Sequence, residues 1–261
     1  MALLFNREAT IASDWQEKGR IHEEIEPPHI IRICRGHIPW QEHSIRILRA
    51  RKPVFDKLVT EMRLSGVLDP SKGPYRNPTF LVKKKKLGEY RLISSVTKPN
   101  SETIGDSSLP PNVEEFREQF AGQAISSLID FFAGYEQVPL AIESHDITAI
   151  ETEQGLIWLT ELQQGGTNNV ATFVRIVKKI LVRCRDICRA FLDHVGVDDP
   201  HTKYNNELAA PAVRRHVLEH ITNMDHVLCD IERSGATISG KKSEFCKSPL
   251  KAVGFLCDNK S

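Results

Sequence analysis

The sequence predicts an α+β fold. Three observations carry this: several short apolar runs of strand type, two long stretches with helical periodicity, and a mixture of the two without regular βαβ alternation. The 261 residues are 40% hydrophobic, enough to bury a core as one large domain or two small ones. With 35 basic residues against 34 acidic ones, the net charge is +1, so a nucleic-acid surface has to come from local clustering.

Residues 1–50 read as an arm or linker. Asp14 to Glu26 is polar and permits a helix, Pro27-Pro28 ends that pattern, and His29 to Arg35 suits a strand. From Pro53 a helix is predicted, with Phe55, Leu58, Val59, Met62 and Leu64 near helical spacing and Gly66 as its stop. Thr79 to Val82 and Tyr90 to Ile93 read as paired strands around a glycine-containing loop, which is a hairpin signal. A helix over Val113 to Phe120 and an apolar run ending at Asp130 follow. Val138 to Ile142, Thr148 to Thr152 and Leu156 to Leu159 read as strands. Phe173, Ile176, Val177, Ile180, Leu181 and Cys184 mark the strongest helix by their i, i+3, i+4 spacing. A second runs from about Pro211, a good first-turn residue, to Gly235, a good stop. Short strands close the chain near Thr237 to Ser239 and Val253 to Leu256.

The six cysteines form no Cys-x-x-Cys pair, and Cys184 and Cys188 sit within a helical pattern, as packing residues do. A reduced intracellular protein, cytoplasmic or nuclear, is the expectation. No apolar run reaches the roughly 20 residues that span a bilayer, and the N-terminus has too short an apolar stretch for a secretory signal, so no membrane partner is expected.

Four features carry chemistry. Asp130 and Asp193 each end an apolar strand-like run, and two carboxylates at neighbouring strand ends can hold a divalent cation through hard oxygen ligands. Turn formation is the plainer reading of either acid alone. Lys83 to Lys86 with Arg91 puts five basic groups in nine residues, a hairpin suited to phosphate or simply solvated. Gln163 to Asn169 is a polar, glycine-bearing loop that either lets backbone approach a base or caps the helix after it. That helix and its continuation carry Arg175, Lys178, Lys179 and Arg183, a basic face that suits a nucleic-acid backbone and equally a soluble surface.

Taken in order, these stretches resemble the reverse transcriptase domain of Gypsy-class LTR retrotransposons, of the branch found in fungal genomes. The resemblance runs from about Pro39 to Asp258. It is carried by Gly73 to Pro78 with Phe80 to Lys85, Thr103-Ile104 with Leu109 to Val113, Ser127 to Gln137, Gln164 to Asn168, Phe191-Leu192-Asp193, and Gly235 to Cys246. It implies a polymerase right-hand fold over residues 51–258, with fingers and palm subdomains and an antiparallel palm sheet backed by helices. It further implies Mg²⁺ (or Mn²⁺) as cofactor, deoxynucleoside triphosphates as substrates, and RNA or RNA–DNA template–primer as partner. By position, Asp130 and Asp193 become the catalytic metal acids. Lys84 and Arg91 become the triphosphate ligands, and Tyr135 the gate against a ribose 2′-hydroxyl. Gln164 and Gly165 line the nucleotide pocket, and Lys242 lies near the leaving pyrophosphate. Arg175, Lys178, Lys179 and Arg183 lie under the duplex.

The chain departs from the pattern in four places. The family's aromatic-x-Asp-Asp ends here in Asp193-His194, so His194 replaces an acid. Its Pro-Gln-Gly is Gln163-Gln164-Gly165, and no acid follows Arg91 in Ile93-Ser94-Ser95. Measured against the family, the resemblance carries the expectation of a chain truncated soon after the palm, with thumb, ribonuclease H and integrase absent. Three readings stay open: an impaired two-metal nucleotidyltransferase, a non-catalytic nucleic-acid-binding domain, and a relic.

Overall fold

The computed structural model describes residues 7–84, 88–108, 111–118, 120, 123, 125–198, 200, 202–247, 250–252 and 255–257. The chain forms two units. One comprises Met1–Glu26, Ser108–Gly134 and Ala171–Ser261; the other comprises Pro27–Ser107 and Tyr135–Val170. Among the described residues no helix is long and apolar enough to cross a membrane.

The first unit is organised by a four-stranded antiparallel sheet in the order Glu244–Lys247, Ser126–Asp130, His194–Val197, Cys188–Phe191. Successive side chains of a strand point to opposite faces. Leu128 accordingly joins Phe116 and Phe120 in one apolar cluster. Ser127, on the other face, bonds His220 of the helix Arg215–Arg233 at 2.8 Å. That helix buries Met224, Val227, Leu228 and Ile231, positions spaced three and four apart. Gly196 stands opposite Leu128, and a Cβ there would meet the Phe120 ring at 2.3 Å. Gly196→Ala is expected to cost about 1–3 kcal/mol through overpacking, read as a lower urea midpoint at unchanged m-value.

Three expectations for this unit are corrected. The second helix starts at Arg215, not near Pro211. Leu208–Ala210 and Val213–Arg214 pair across Pro211, and Ala212 sits at φ +62°, so backbone pairing holds the chain extended until Arg214. The helix Asn169–Ile180 ends before Cys184, and Cys188 opens a strand. There, Val182 N–H bonds Lys179 O and Cys184 N–H bonds Leu181 O, the tight i→i−3 pattern of a terminating turn. Asp14 to Glu26 is not helical. Asp14 Oδ1 accepts the N–H groups of Gln16 and Glu17, and Arg20 and His22 N–H groups bond the carbonyls of Gly235 and Ser234. Gly235 permits this approach: at φ +76°, its missing Cβ would lie 2.4 Å from Arg20 O.

In the second unit Pro53 occupies the first turn of the helix Lys52–Leu64, where its missing N–H costs nothing. Phe55 and Val59 of that helix pack with Leu68, Ile150, Ile157 and Leu159. The last four belong to a three-stranded antiparallel sheet of Leu68–Pro70, Gly155–Leu159 and Ile150–Thr152. Thr79–Lys83 and Tyr90–Ser94 pair antiparallel as the expected hairpin, while Lys85 and Lys86 lie outside the described residues. The strand expected over Val138 to Ile142 is replaced by single bridges at Pro139 and Leu140 and a short helix Ile142–His145. Pro139 has no N–H to give a ladder. His29 to Arg35 likewise makes only isolated bridges, at His29 and Ile33.

Candidate active site

The sheet register places the central residues. Ser126–Asp130 and His194–Val197 run antiparallel with Asp130 directly opposite His194, and Phe131 N–H donates to Asp193 O at 2.9 Å. Phe191 pairs with His194, so Leu192 and Asp193 form a two-residue hairpin turn. Such turns need positive φ, normally supplied by glycine or asparagine. Here Leu192 takes φ +54°, a backbone that costs a side-chain-bearing residue about 1 kcal/mol or more. Asp193 is therefore a tip residue, next in sequence to the residue that pairs with Asp130.

One donor atom each from Asp130, Asp193 and His194 lies within 4.8 Å of the others. His194 Nδ1 is 3.0 Å from Asp193 Oδ1, and its Nε2 is 3.4 Å from Asp130 Oδ2. Lys242 Nζ donates to Asp130 Oδ1 at 2.9 Å, and Asp130 N–H donates to Ser243 Oγ at 3.0 Å. Asp130 has only 7% of its side chain exposed, against 27% for His194 and 33% for Asp193. This ordering decides the electrostatics. Burial pushes the Asp130 carboxyl above the usual carboxylate range, and the Lys242 ammonium only partly offsets it. Burial also works to raise Asp193, but the hydrogen bond and charge of His194 outweigh it and hold that carboxyl below its ordinary value. The bond to Asp193 raises His194 above the ordinary imidazole value, against the effect of burial.

These shifts set a pH window for the pair. Raised His194 contributes stability fully below the ordinary imidazole value of 6.5 and loses it as pH rises through its folded-state value. Lowered Asp193 contributes above the ordinary carboxylate value of 3.8 and loses it as pH falls through its own. The pair therefore stabilises most between those two values. His194→Asn is expected to lower the melting temperature more at pH 6 than at pH 9, by thermal denaturation at matched ionic strength. A difference that grows towards pH 9 would contradict the assignment.

The donor set suits a divalent cation. Two carboxylates supply hard oxygens, the imidazole supplies nitrogen, and Asp130 is too buried to be satisfied by bulk water.

The remaining sequence-derived candidates fall in two groups. Lys242 joins the cluster in the first unit. Lys84, Arg91, Tyr135, Gln164 and Gly165 belong to the second unit. Lys84 and Arg91 are exposed on the hairpin, where Arg91 pairs with Val82 and Lys84 faces Glu89 at 3.9 Å. Tyr135 is 9% exposed, in a 3₁₀ turn. Gly165 takes φ +91°, and its carbonyl accepts from Asn100 Nδ2 at 2.9 Å while Asn100 Oδ1 accepts from Thr167 N–H at 2.8 Å. Asn100 thus clamps the Gln164-Gly165 loop, and sequence reading missed it. Ser243 was missed too, because a serine and an asparagine in polar stretches carry no local signal. Of the basic group, Lys178 is exposed, and Arg175 bonds Thr172 Oγ1 at 3.2 Å. Lys179 pairs with Glu26, and Arg183, beyond the helix end, pairs with Asp230 at 3.4 Å.

Comparison with known proteins gives one consistent result. The family model described as reverse transcriptase (RNA-dependent DNA polymerase) matches residues 82–257. The enzymatic polyprotein of Cauliflower mosaic virus (strain D/H) is 28% identical over 207 residues, covering 78% of this chain and 28% of that protein. The retrovirus-related Pol polyprotein from transposon gypsy of Drosophila melanogaster is 25% identical over 204 residues, covering 76% of this chain and 18% of that protein. The chain thus spans under a third of these relatives. Among solved structures, a foamy viral protease-reverse transcriptase in complex with double-stranded DNA superposes with TM-score 0.83 at 21% identity, covering 99% of this chain and 42% of that one. The foamy viral protein in complex with RNA/DNA hybrid gives 0.82 at 21% identity, covering 99% and 32%. The fold is that of polymerase fingers and palm.

Proposed function

The chain belongs to the reverse transcriptase (RNA-dependent DNA polymerase) family, and from that premise we propose that it is a domain built for two-metal nucleotidyl transfer whose Mg²⁺ chemistry His194 impairs. The observation that carries the reading is the register that sets Asp130 opposite His194 with Asp193 at the adjoining tip. Asp130 and Asp193 hold the divalent cation. When bound, that cation supplies positive charge to the phosphoryl oxygens and lowers the cost of forming the attacking alkoxide.

The chain's own groups do the rest. Lys242, now on Asp130, offers its ammonium to the departing pyrophosphate, whose growing charge it stabilises. Ser243 fixes the Asp130 backbone. In the second unit Lys84 and Arg91 take the triphosphate oxygens of a deoxynucleotide. Tyr135 excludes a ribose 2′-hydroxyl, and the loop of Gln164 and Gly165, held by Asn100, presents backbone to the base or sugar.

His194 replaces a unit of negative charge with an imidazole, and Mg²⁺ prefers oxygen. The effect falls on the electrostatic stabilisation that dominates phosphoryl transfer. Primer extension on an RNA template, with the unmodified chain and with His194→Asp, tests the reading. Efficient synthesis by the unmodified chain in Mg²⁺ would remove the impairment.

A second reading, a nucleic-acid-binding domain without catalysis, draws on the same cluster: Lys242 and His194 satisfy both acids from within. Either reading makes Arg175 and Lys178 phosphate contacts to an RNA–DNA template–primer. Affinity is then expected to fall steeply with salt, and each of Arg175→Ala and Lys178→Ala to reduce the log–log slope by about 1. Filter binding across a salt series measures this, and salt-independent binding would reject it. The proposed setting is intracellular, where thiols such as Cys184 and Cys188 stay reduced, and the proposed origin is a retroelement polyprotein of the fungal type.

A further inference from the structure

His194 does more than remove an acid. Its two ring nitrogens stand in different relations to the two carboxylates. Nδ1 lies at hydrogen-bonding distance, 3.0 Å, from Asp193 Oδ1. Nε2 lies 3.4 Å from Asp130 Oδ2, long for a hydrogen bond. Two donors that share one cation at about 2.1 Å each are separated by about 3.0 Å at a right angle and about 3.4 Å at a tetrahedral angle. The Nε2–Oδ2 separation matches that of two ligands of one metal. The other Asp130 oxygen is already committed to Lys242, which leaves Oδ2 as the oxygen facing the ring.

The Asp193–His194 contact sets the tautomer of the ring. A metal-binding histidine commonly donates its second N–H to a carboxylate, which fixes the tautomer and turns the other nitrogen's lone pair to the metal. Asp193 is placed to do this through Oδ1. The half-buried ring is also held by the sheet, because His194 pairs with both Asp130 and Phe191. One nitrogen and carboxylate oxygens make a mixed donor set. Such a set favours borderline first-row cations over the hard, octahedral Mg²⁺.

We propose that His194 Nε2 and Asp130 Oδ2 form a ligand pair that makes this site selective for a borderline divalent transition metal, Mn²⁺ or a later first-row ion, over Mg²⁺, with Asp193 orienting the imidazole. The inference rests on reading Asp130 and Asp193 as the metal acids, with Asp193 orienting the ring through Oδ1 and keeping its other oxygen for the cation, and it changes which ion they serve.

The test uses the full chain, with Mn²⁺ alone as probe and Mg²⁺ as competitor. Loss of the free Mn²⁺ electron paramagnetic resonance signal gives affinity, and electron spin echo modulation reports ligand nitrogen. The unmodified chain is expected to bind Mn²⁺ with modulation from one imidazole. The preference for Mn²⁺ over Mg²⁺ should fall by about 10–100-fold in His194→Asp, with the nitrogen modulation lost. His194→Asn, closer to the native ring in size, should lose the modulation likewise, with circular dichroism showing that each variant folds. No Mn²⁺ binding at millimolar concentration, binding without nitrogen modulation, modulation that survives both variants, or an unchanged preference would each overturn the proposal.

Failure of the polymerase reading has a different signature. If nitrogen-ligated Mn²⁺ is present but no nucleotide is incorporated with any ion, the metal site stands and the polymerase reading falls. If synthesis runs in Mg²⁺ and bound Mn²⁺ shows no nitrogen, the reverse holds.

Discussion

His194→Asp is expected to raise Mg²⁺-dependent primer extension on an RNA template by about 10²–10³-fold over the unmodified chain, the scale of one well-placed electrostatic group in a closed site. The geometry allows this because position 194 is directly opposite Asp130 in the sheet. A carboxylate there adds an oxygen donor on the face where Asp130 Oδ2 already points. It also removes the imidazole that now engages both acids. The substitution places three carboxylates together, and their mutual repulsion is relieved only when a cation binds. The variant should therefore melt lower than the unmodified chain without metal and recover on adding Mg²⁺. An unchanged rate with Mg²⁺ bound would show that the lesion lies elsewhere.

Asp130→Asn is expected to do the opposite. Any synthesis by the unmodified chain, or by His194→Asp, should drop by about 10²–10³-fold in single-turnover incorporation. The fold should hardly notice. Burial pushes the Asp130 carboxyl up, so above the ordinary carboxylate value it weakens the native state relative to a neutral isostere. Asn retains the backbone N–H to Ser243 Oγ, and Lys242, with 62% of its side chain exposed, regains water. Stability should stay within about 1 kcal/mol of the unmodified chain, and the variant should gain on it as pH rises from 3 to 7. A large destabilisation at pH 7 would mean that Asp130 holds the sheet together rather than serving a ligand.

Much of this was legible from residue order. The hairpin of Thr79–Lys83 and Tyr90–Ser94, the helix from Lys52 and the strand ending at Asp130 all follow from periodicity and turn residues. So does the hairpin that ends in Asp193, since a strand-like run closing on an acid is a local pattern. What failed depended on distant partners. The polar stretch after Asp14 has helical composition, but the carbonyls of Ser234 and Gly235 claim its backbone. Pro211 has the chemistry of a helix start, yet Leu208 pairs with Arg214 and delays the helix. Among the candidate residues, Asp130 and Asp193 are readable because few residue types can hold a hard cation. Asn100 and Ser243 are not, because each acts only through a backbone brought to it by the fold. The pairing of Lys179 with Glu26 and of Arg183 with Asp230 is likewise invisible in a basic run.

The proposed role of His194 is to set the metal chemistry of a polymerase palm. The most direct measurement is single-nucleotide incorporation by the unmodified chain on an RNA template with a DNA primer, run in Mg²⁺ and in Mn²⁺ beside His194→Asp. The predicted result is weak incorporation in Mg²⁺, stronger incorporation in Mn²⁺, and rescue of the Mg²⁺ reaction by the variant. Equal and efficient incorporation by both proteins in Mg²⁺ would contradict it.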